Sequence, residues 1–212
     1  MNLPSGNMIA SQERAGKFRN TAIYYTAFII LGMAAAVIGP SLGRLAQQTT
    51  TTLGFFSLIF VARSLGYLSG SLLGGQLYDR IPGHMVMAAD LGAIAVMLVL
   101  LPLATWFWLL LLIMFILGLV GGALDVGGNT LLVWVHREKV GPFMNGLHFF
   151  FGLGAFISPV FLAQSITWSG EIRWGFWVVA ILALPVLLAA LIQASPKRLV
   201  EPGKKAAGKT NL

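Results

Sequence analysis

The sequence predicts an all-α protein that crosses a membrane six times. Hydrophobic residues make up 57% of the 212 residues and charged residues only 10%, whereas about a quarter of an average globular protein is charged. So few charges cannot cover the surface of a soluble protein of this size. Six apolar segments are each long enough to cross a bilayer, at about 20 residues per span. Most of the chain is therefore expected to have lipid as its partner.

The composition also excludes several kinds of site. The chain has no cysteine, which rules out disulfides, thiol-ligated zinc and a cysteine nucleophile. Its net charge of +7 does not predict nucleic-acid binding, because Lys and Arg occur at the ends and in short gaps rather than on one folded face. No cofactor is predicted.

Short polar turns separate the six predicted spans. The spans cover residues 21–43, 53–77, 84–104, 107–134, 142–166 and 174–194. We expect residues 1–20 to form a cytoplasmic N-terminal segment and residues 21–194 to form one six-helix bundle. Residues 195–212 are rich in Lys, Gly and Ala, which predicts a disordered cytoplasmic tail.

The distribution of basic residues predicts the orientation of the chain. With six crossings, eleven of the fourteen Lys and Arg residues fall on one side: Arg14, Lys17, Arg19, Arg80, Arg137, Lys139, Lys197, Arg198, Lys204, Lys205 and Lys209. Only Arg44 and Arg173 fall on the other, and Arg63 lies within a span. Because basic loops stay in the cytoplasm, both termini are predicted to be cytoplasmic in a multi-pass protein of the cell membrane.

Six polar or charged side chains lie inside the predicted spans, where each needs a partner because ionisable groups are costly in lipid. They are Arg63, Asp90, Asp125, Asn129, Asn145 and His148. At about 1.5 Å per helical residue, Asp90 and His148 lie roughly 9 Å from the cytoplasmic ends of their spans. Asp125 lies roughly 13 Å deep and Arg63 roughly 20 Å deep. Arg63 and Asp90 could pair with each other.

Two of these spans carry a polar stripe that small residues continue. Helical spacing places Gly121, Asp125, Gly128 and Asn129 on one face of the fourth span, and Asn145, His148, Gly152 and Ala155 on one face of the fifth. One interpretation is a cation-coupled binding site in which Asp125 takes up a proton or a metal cation. Asn129, Asn145 and His148 would then bind a polar solute. The alternative is that these groups bond one another and hold the helices together.

A short internal repeat favours a transporter architecture. Residues 65–68 resemble residues 153–156, with glycine at Gly66 and Gly154 in the second position of each. The two segments correspond if spans one to three and four to six are repeats of opposite topology, which together build half of a transporter. In the second span, Gly66, Gly70 and Gly74 recur at every fourth position, a pattern typical of close helix packing.

The turn between the second and third spans resembles the signature loop of the major facilitator superfamily. Residues 75–84 place Gly75, Asp79, Arg80 and Gly83 nearly as that loop has them, with one extra residue before the last glycine and without its final basic pair. The resemblance implies a gating role, in which an acid beside a helix end latches one state of the cytoplasmic gate.

The fourth and fifth spans resemble the fucose permease and sodium-dependent glucose transporter branch of that superfamily. The resemblance rests on residues 124–129 and 145–155, and implies that Asp125 and Asn129 line a sugar cavity. Fucose permeases have an additional acid in the first span, where this chain has alanine at 34–36, so the coupling ion could be H⁺ or Na⁺. Members of the superfamily have twelve spans, which implies a second six-helix half as partner, either a separate chain or another copy.

Other classes fit the sequence less well. A rhomboid-like protease needs G-x-S-G, and here Gly66 and Ser69-Gly70 are one residue too far apart. Asp90 and Asp125 could be tried as an aspartyl pair, but the G-x-G-D element of presenilin-like proteases is missing, so no enzyme is predicted. Nothing resembles the filter of an ion channel. A non-transporting membrane scaffold, or a truncated or split half that needs a partner, remains the main alternative to a sugar transporter.

Overall fold

The computed structural model describes residues 6–199 and confirms the all-α prediction. Within that range the chain forms eight α-helices and no β-strand. The helices are α1 (Gly6–Ala36), α2 (Ile38–Gln48), α3 (Leu53–Phe56), α4 (Leu58–Tyr78), α5 (Gly83–Leu100), α6 (Phe107–His136), α7 (Gly141–Ser169) and α8 (Arg173–Ile192). Most of the predicted tail, residues 200–212, lies outside the described residues, as do residues 1–5 of the predicted N-terminal segment.

The helices agree with six crossings. Five are long and apolar enough to span a membrane, and α1 with α2 adds a sixth if that pair, bent by 42°, is one span. Pro40 explains the bend, because it has no N–H to donate to the carbonyl of Ala36 and its ring clashes there. Helix α1 begins well before the predicted span start at residue 21. Helix α7 ends at Gly170, whose φ of +73° suits a glycine just beyond a helix.

Three helix pairs dominate the packing. Helix α4 lies along α6, α1 along α7, and α5 along α8. Glycine allows the first of these contacts, because a Cβ on Gly66, Gly70 or Gly74 would overlap the backbone of α6. The predicted close-packing seam is therefore the α4–α6 contact.

The α1–α7 contact and the α4–α6 contact follow the same pattern. A Cβ on Gly32 would overlap α7 at Phe151 and Ala155, and a Cβ on Gly118 would overlap α4 at Arg63 and Tyr67. The spacing from Phe151 to Ala155 equals that from Arg63 to Tyr67, so α1 on α7 and α6 on α4 are equivalent contacts. Because three is an odd number of spans, the second three-span repeat starts on the opposite side of the membrane from the first. The equivalence of the two contacts therefore agrees with two inverted three-helix repeats.

Helices α4 and α7 are the most exposed of the spanning helices. They bury the smallest share of their residues, and both present large apolar side chains outward, such as Leu72 at 66% and Phe156 at 77% exposure. The remaining spans bury more, and the side chains of Leu91, Ile94 and Phe176 lie in the core.

Candidate functional site

A cavity of about 230 Å³ lies among α1, α4, α5, α6 and α7. Its polar lining comes from four side chains, Arg63, Tyr67, Asp125 and His148, and its walls include the rings of Phe28 and Phe151. Small residues keep the space open, since Ala34, Ala35, Gly118 and Gly121 also line it. Two predicted site residues on different helices, Asp125 and His148, therefore face the same cavity.

The carboxylate of Asp125 is held by two donors. The hydroxyl of Tyr67 on α4 donates to its Oδ2. The Nδ2 of Asn129, one turn later on α6, donates to its Oδ1 at 3.2 Å and to its backbone carbonyl at 2.8 Å. Gly122 makes the first contact possible, because the backbone of Tyr67 occupies the space that a Cβ there would need. The close α4–α6 contact thus places the phenol beside the acid.

The structure does not bring Arg63 and Asp90 together. Asp90 is 7% exposed and accepts a hydrogen bond from the hydroxyl of Tyr78 at 3.1 Å. Tyr78 ends α4, roughly 22 Å along the helix axis from Arg63 at 1.5 Å per residue. Arg63 instead lines the cavity one turn before Tyr67, and no carboxylate of the described part of the chain lies within ion-pair distance of it.

The polar stripe of α7 is only partly in the cavity. The ring of His148 packs edge-on against Phe28, with 6.4 Å between the ring centroids. Asn145 is exposed, is not among the lining residues, and its side chain donates no hydrogen bond to the described residues. Asn129 reaches the cavity only through Asp125.

The predicted gating loop is tied to the segment that follows α8. Asp79 ends α4 by donating its N–H to the carbonyl of Gly75 at 3.1 Å. Its carboxylate lies 3.0 Å from the guanidinium of Arg198. Gly83 begins α5, and a Cβ there would press on the side chain of Leu131. Arg80 is exposed. The loop is thus a tight turn whose acid already has a partner in this structure.

Next to that loop, His84 connects α1, α5 and the segment after α8. Its Nδ1 donates to the carbonyl of Gln193 at 2.8 Å, which leaves Nε2 to accept from the hydroxyl of Tyr24 at 2.9 Å. Its backbone N–H donates to the hydroxyl of Ser195 at 2.7 Å. The first part of the predicted tail is thus held against the bundle.

Comparison with known proteins identifies the family. The model of the Major Facilitator Superfamily matches residues 24–212, which is most of the chain. This protein belongs to the major facilitator superfamily. Together with its apolar helices, membership makes it a multi-pass membrane protein. The resemblance noted from the turn at residues 75–84 is confirmed.

Its relatives in the superfamily include sugar transporters. It is 38% identical over 145 residues to sodium-dependent glucose transporter 1A of Mus musculus, covering 68% of this chain and 34% of the relative. It is 40% identical over 146 residues to sodium-dependent glucose transporter 1 of Homo sapiens, covering 68% and 28%. It is 33% identical over 145 residues to major facilitator superfamily domain-containing protein 4A of Xenopus tropicalis, covering 68% and 29%. The chain therefore matches about a third of the length of these curated relatives.

Sequence reasoning missed Tyr67 as a site residue of this superfamily member. The sequence carried part of the signal, because Tyr67 lies one turn after Arg63 and directly after Gly66, which marks a close-packing face of α4. It did not show which helix that face approaches. A tyrosine beside a close-packing glycine, opposite a helix with a buried acid, is a candidate hydrogen-bond donor to that acid. Of the described residues, no group of three His, Asp or Glu could hold a metal ion.

Proposed function

We propose that this chain forms the N-terminal six-helix half of a secondary active transporter that couples the uptake of a sugar, or a similar hydroxylated solute, to a cation. One observation carries the proposal: a single cavity presents the carboxylate of Asp125, the guanidinium of Arg63 and the imidazole of His148. The similarity to sodium-dependent glucose transporters supports a sugar-like solute.

In this proposal Asp125 couples cation binding to transport. Its carboxylate accepts from Tyr67 and Asn129 but can accept up to about four hydrogen bonds, so it retains a position for a proton or for Na⁺. Arg63 offsets the charge of Asp125 within the cavity, and a bound cation therefore makes the cavity net positive. A cation that binds must gain enough from Asp125 to offset that repulsion, which favours binding together with a solute that adds oxygen ligands.

The solute would occupy the space between the polar and aromatic walls. Arg63 and His148 are donors with no hydrogen-bonding partner among the described residues, and sugar hydroxyls can accept from both. The rings of Phe28 and Phe151 offer flat apolar surfaces that suit the C–H face of a sugar ring. Asn145 is left as a proposed solute contact on α7, adjoining the cavity rather than lining it.

We propose that both termini lie in the cytoplasm. The loops with an excess of basic residues support this orientation, and their contacts agree with an even number of crossings. The middle of α1 contacts the end of α6 through Thr21 and His136, whose Oγ1 and Nε2 are 2.7 Å apart. The segment after α8 contacts the α4–α5 turn through Arg198 and Asp79. These four segments thus contact one another in two pairs, and the charge distribution assigns all four to the same side of the membrane.

A second candidate function is a membrane scaffold, or a half that is inactive until it finds its partner. The exposed side chains of Asn145 and His148 on α7 favour a partner, since lipid cannot hydrogen-bond them and a second six-helix unit could. The partner could be a separate chain or a second copy. Robust uptake by proteoliposomes that contain only monomers, verified by mass, would contradict the need for a partner. Co-purification with a candidate second half, followed by uptake assays, would support it.

Replacing Asp125 by Asn tests the coupling role. In the assembled transporter, a tenfold ion gradient can drive up to about tenfold accumulation at one ion per solute, about 1.4 kcal/mol. We expect Asp125→Asn to abolish accumulation while leaving solute exchange at equal concentrations partly intact, because the amide keeps the shape and loses the charge. Asp90→Asn is the matched control, since that acid lies outside the cavity. Wild-type accumulation by Asp125→Asn under the gradient would refute the assignment.

A further inference from the structure

A basic pocket opens where α1 enters the bundle. It lies between residues 14–25 in the middle of α1, the end of α6 and the start of α7, and has a volume of about 440 Å³, within the roughly 300–1,000 Å³ of small-molecule sites. Its lining includes the cations Arg14, Lys17 and Lys139, with Thr21, His136 and Phe143 behind them. None of these residues belongs to the transport cavity.

The back wall of the basic pocket is fixed by hydrogen bonds. The hydroxyl of Thr21 donates to the carbonyl of Lys17 at 2.8 Å, so it accepts from Nε2 of His136 at 2.7 Å. The ring of His136 stacks on Phe143 with 3.5 Å between centroids. Tyr25 donates to the carbonyl of Phe143 at 3.0 Å. The pocket is therefore preformed by contacts among three helices.

The positive charge of the pocket is only partly compensated by the surroundings. Three cationic side chains line the pocket and, among the residues that the structure describes, no carboxylate does. Glu13 lies 3.4 Å from the ammonium of Lys17, but that pair is largely exposed and is weak for that reason. Guanidinium and ammonium groups that converge in this way are the protein groups that bind phosphate.

The position of the pocket favours a lipid as the source of that phosphate. It lies at the end of the membrane-spanning helices, beside Phe18, whose side chain is 77% exposed and also lines it. An exposed aromatic next to basic residues is typical of a segment that inserts at the boundary between headgroups and acyl chains. A free metabolite in the cytoplasm would not require that aromatic.

We propose that the basic pocket binds the phosphate of an anionic phospholipid, with Arg14, Lys17 and Lys139 around the headgroup and Phe18 against the acyl chains. The site is separate from the solute cavity and does not depend on the transported solute. It fastens the first helix of the bundle to the anionic leaflet at the point where α6 ends and α7 begins.

Lipid binding to the purified full chain tests the proposal. Native mass spectrometry compares phosphatidylglycerol with phosphatidylcholine of identical acyl chains, for the wild type and for Arg14→Gln/Lys139→Gln. At roughly 1 kcal/mol per basic residue, the loss of two charges lowers phosphatidylglycerol affinity about thirtyfold. The control is Arg137→Gln/Lys197→Gln, which removes two exposed charges from the same end of the bundle but outside the pocket, and should lower the affinity several-fold less.

Each other outcome overturns the proposal. Equal affinity for the two lipids in the wild type would show that the headgroup charge is not recognised. An equal loss in both double variants would show that bulk charge, not the pocket, attracts the lipid. Displacement of phosphatidylglycerol by millimolar inorganic phosphate would identify a site for free phosphate instead. Phe18→Ser should weaken the binding of phosphatidylglycerol but should not make inorganic phosphate displace it. Unchanged binding of phosphatidylglycerol would overturn the proposed contact between Phe18 and the acyl chains.

Discussion

Gly154 and Gly152 provide a matched test of the close contact between α1 and α7. A Cβ on Gly154 would lie 2.8 Å from the carbonyl carbon of Ile29 and 2.9 Å from its Cα, and would overlap the carbonyl oxygen. Ordinary contacts between carbon atoms are about 3.5–4.0 Å, so α1 and α7 must separate by most of an ångström. A Cβ on Gly152 would meet nothing within 4 Å.

The two substitutions to alanine should change stability in opposite directions. Overpacking costs about 1–3 kcal/mol, and alanine gains about 1 kcal/mol over glycine in a helix. We therefore expect Gly154→Ala to lower the free energy of unfolding by up to about 2 kcal/mol, and Gly152→Ala to leave it equal or raise it by up to about 1 kcal/mol. Titration of the purified chain with SDS, followed by circular dichroism, measures both. Equal changes in the two variants would refute the close contact.

Two further predictions follow from other contacts. Ser158→Ala should lower the free energy of unfolding by about 0.6–1.7 kcal/mol, because the buried hydroxyl of Ser158 donates to the carbonyl of Met33 at 2.8 Å. The same SDS titration measures this change, and an unchanged free energy of unfolding would argue against that hydrogen bond. A reporter fused after Leu212 should be active only in the cytoplasm, because the basic loops and an even number of crossings predict that orientation. Activity only outside would contradict the predicted orientation.

The sequence was most informative about the membrane-spanning helices, whose length and composition are set by the lipid bilayer. Apolar segments of bilayer length predicted the spanning helices, because every backbone group in lipid must be bonded within its own helix. It was less informative about which side chains meet. Arg63 and Asp90 were considered a possible pair because their charges are opposite, but charge leaves the partner helix and the rotation of each helix undetermined. Tyr78 bonds Asp90 instead, and Arg63 faces the cavity.

The sequence was also limited in predicting which residues of the polar stripe on α7 line the cavity. Helical spacing correctly places Asn145 and His148 on one face, yet only His148 lines the cavity, since Asn145 lies nearly one turn closer to the end of the helix, where the wall has ended. The contact between Tyr67 and Asp125 was beyond spacing arguments, because it joins two helices whose register is set by glycines. Those glycines were recognised, but the sequence did not reveal which helix they approach.

The three-helix repeat explains why Asp125 has no acidic counterpart on α1 in the candidate site. Gly32 of α1 and Gly118 of α6 make equivalent contacts, and Asp125 follows Gly118 by the same number of residues as Gly39 follows Gly32. At the position equivalent to the carboxylate of α6, the first span therefore has Gly39, which lies next to Pro40 in α2, just after the bend. On the partner helices, Tyr67 of α4 corresponds to Ala155 of α7. The backbone repeats but the polar chemistry does not, so among the described residues the hydrogen-bonded carboxylate of the cavity belongs to the α4–α6 contact. This asymmetry is why our proposal assigns the coupling role to Asp125 and to no residue of α1.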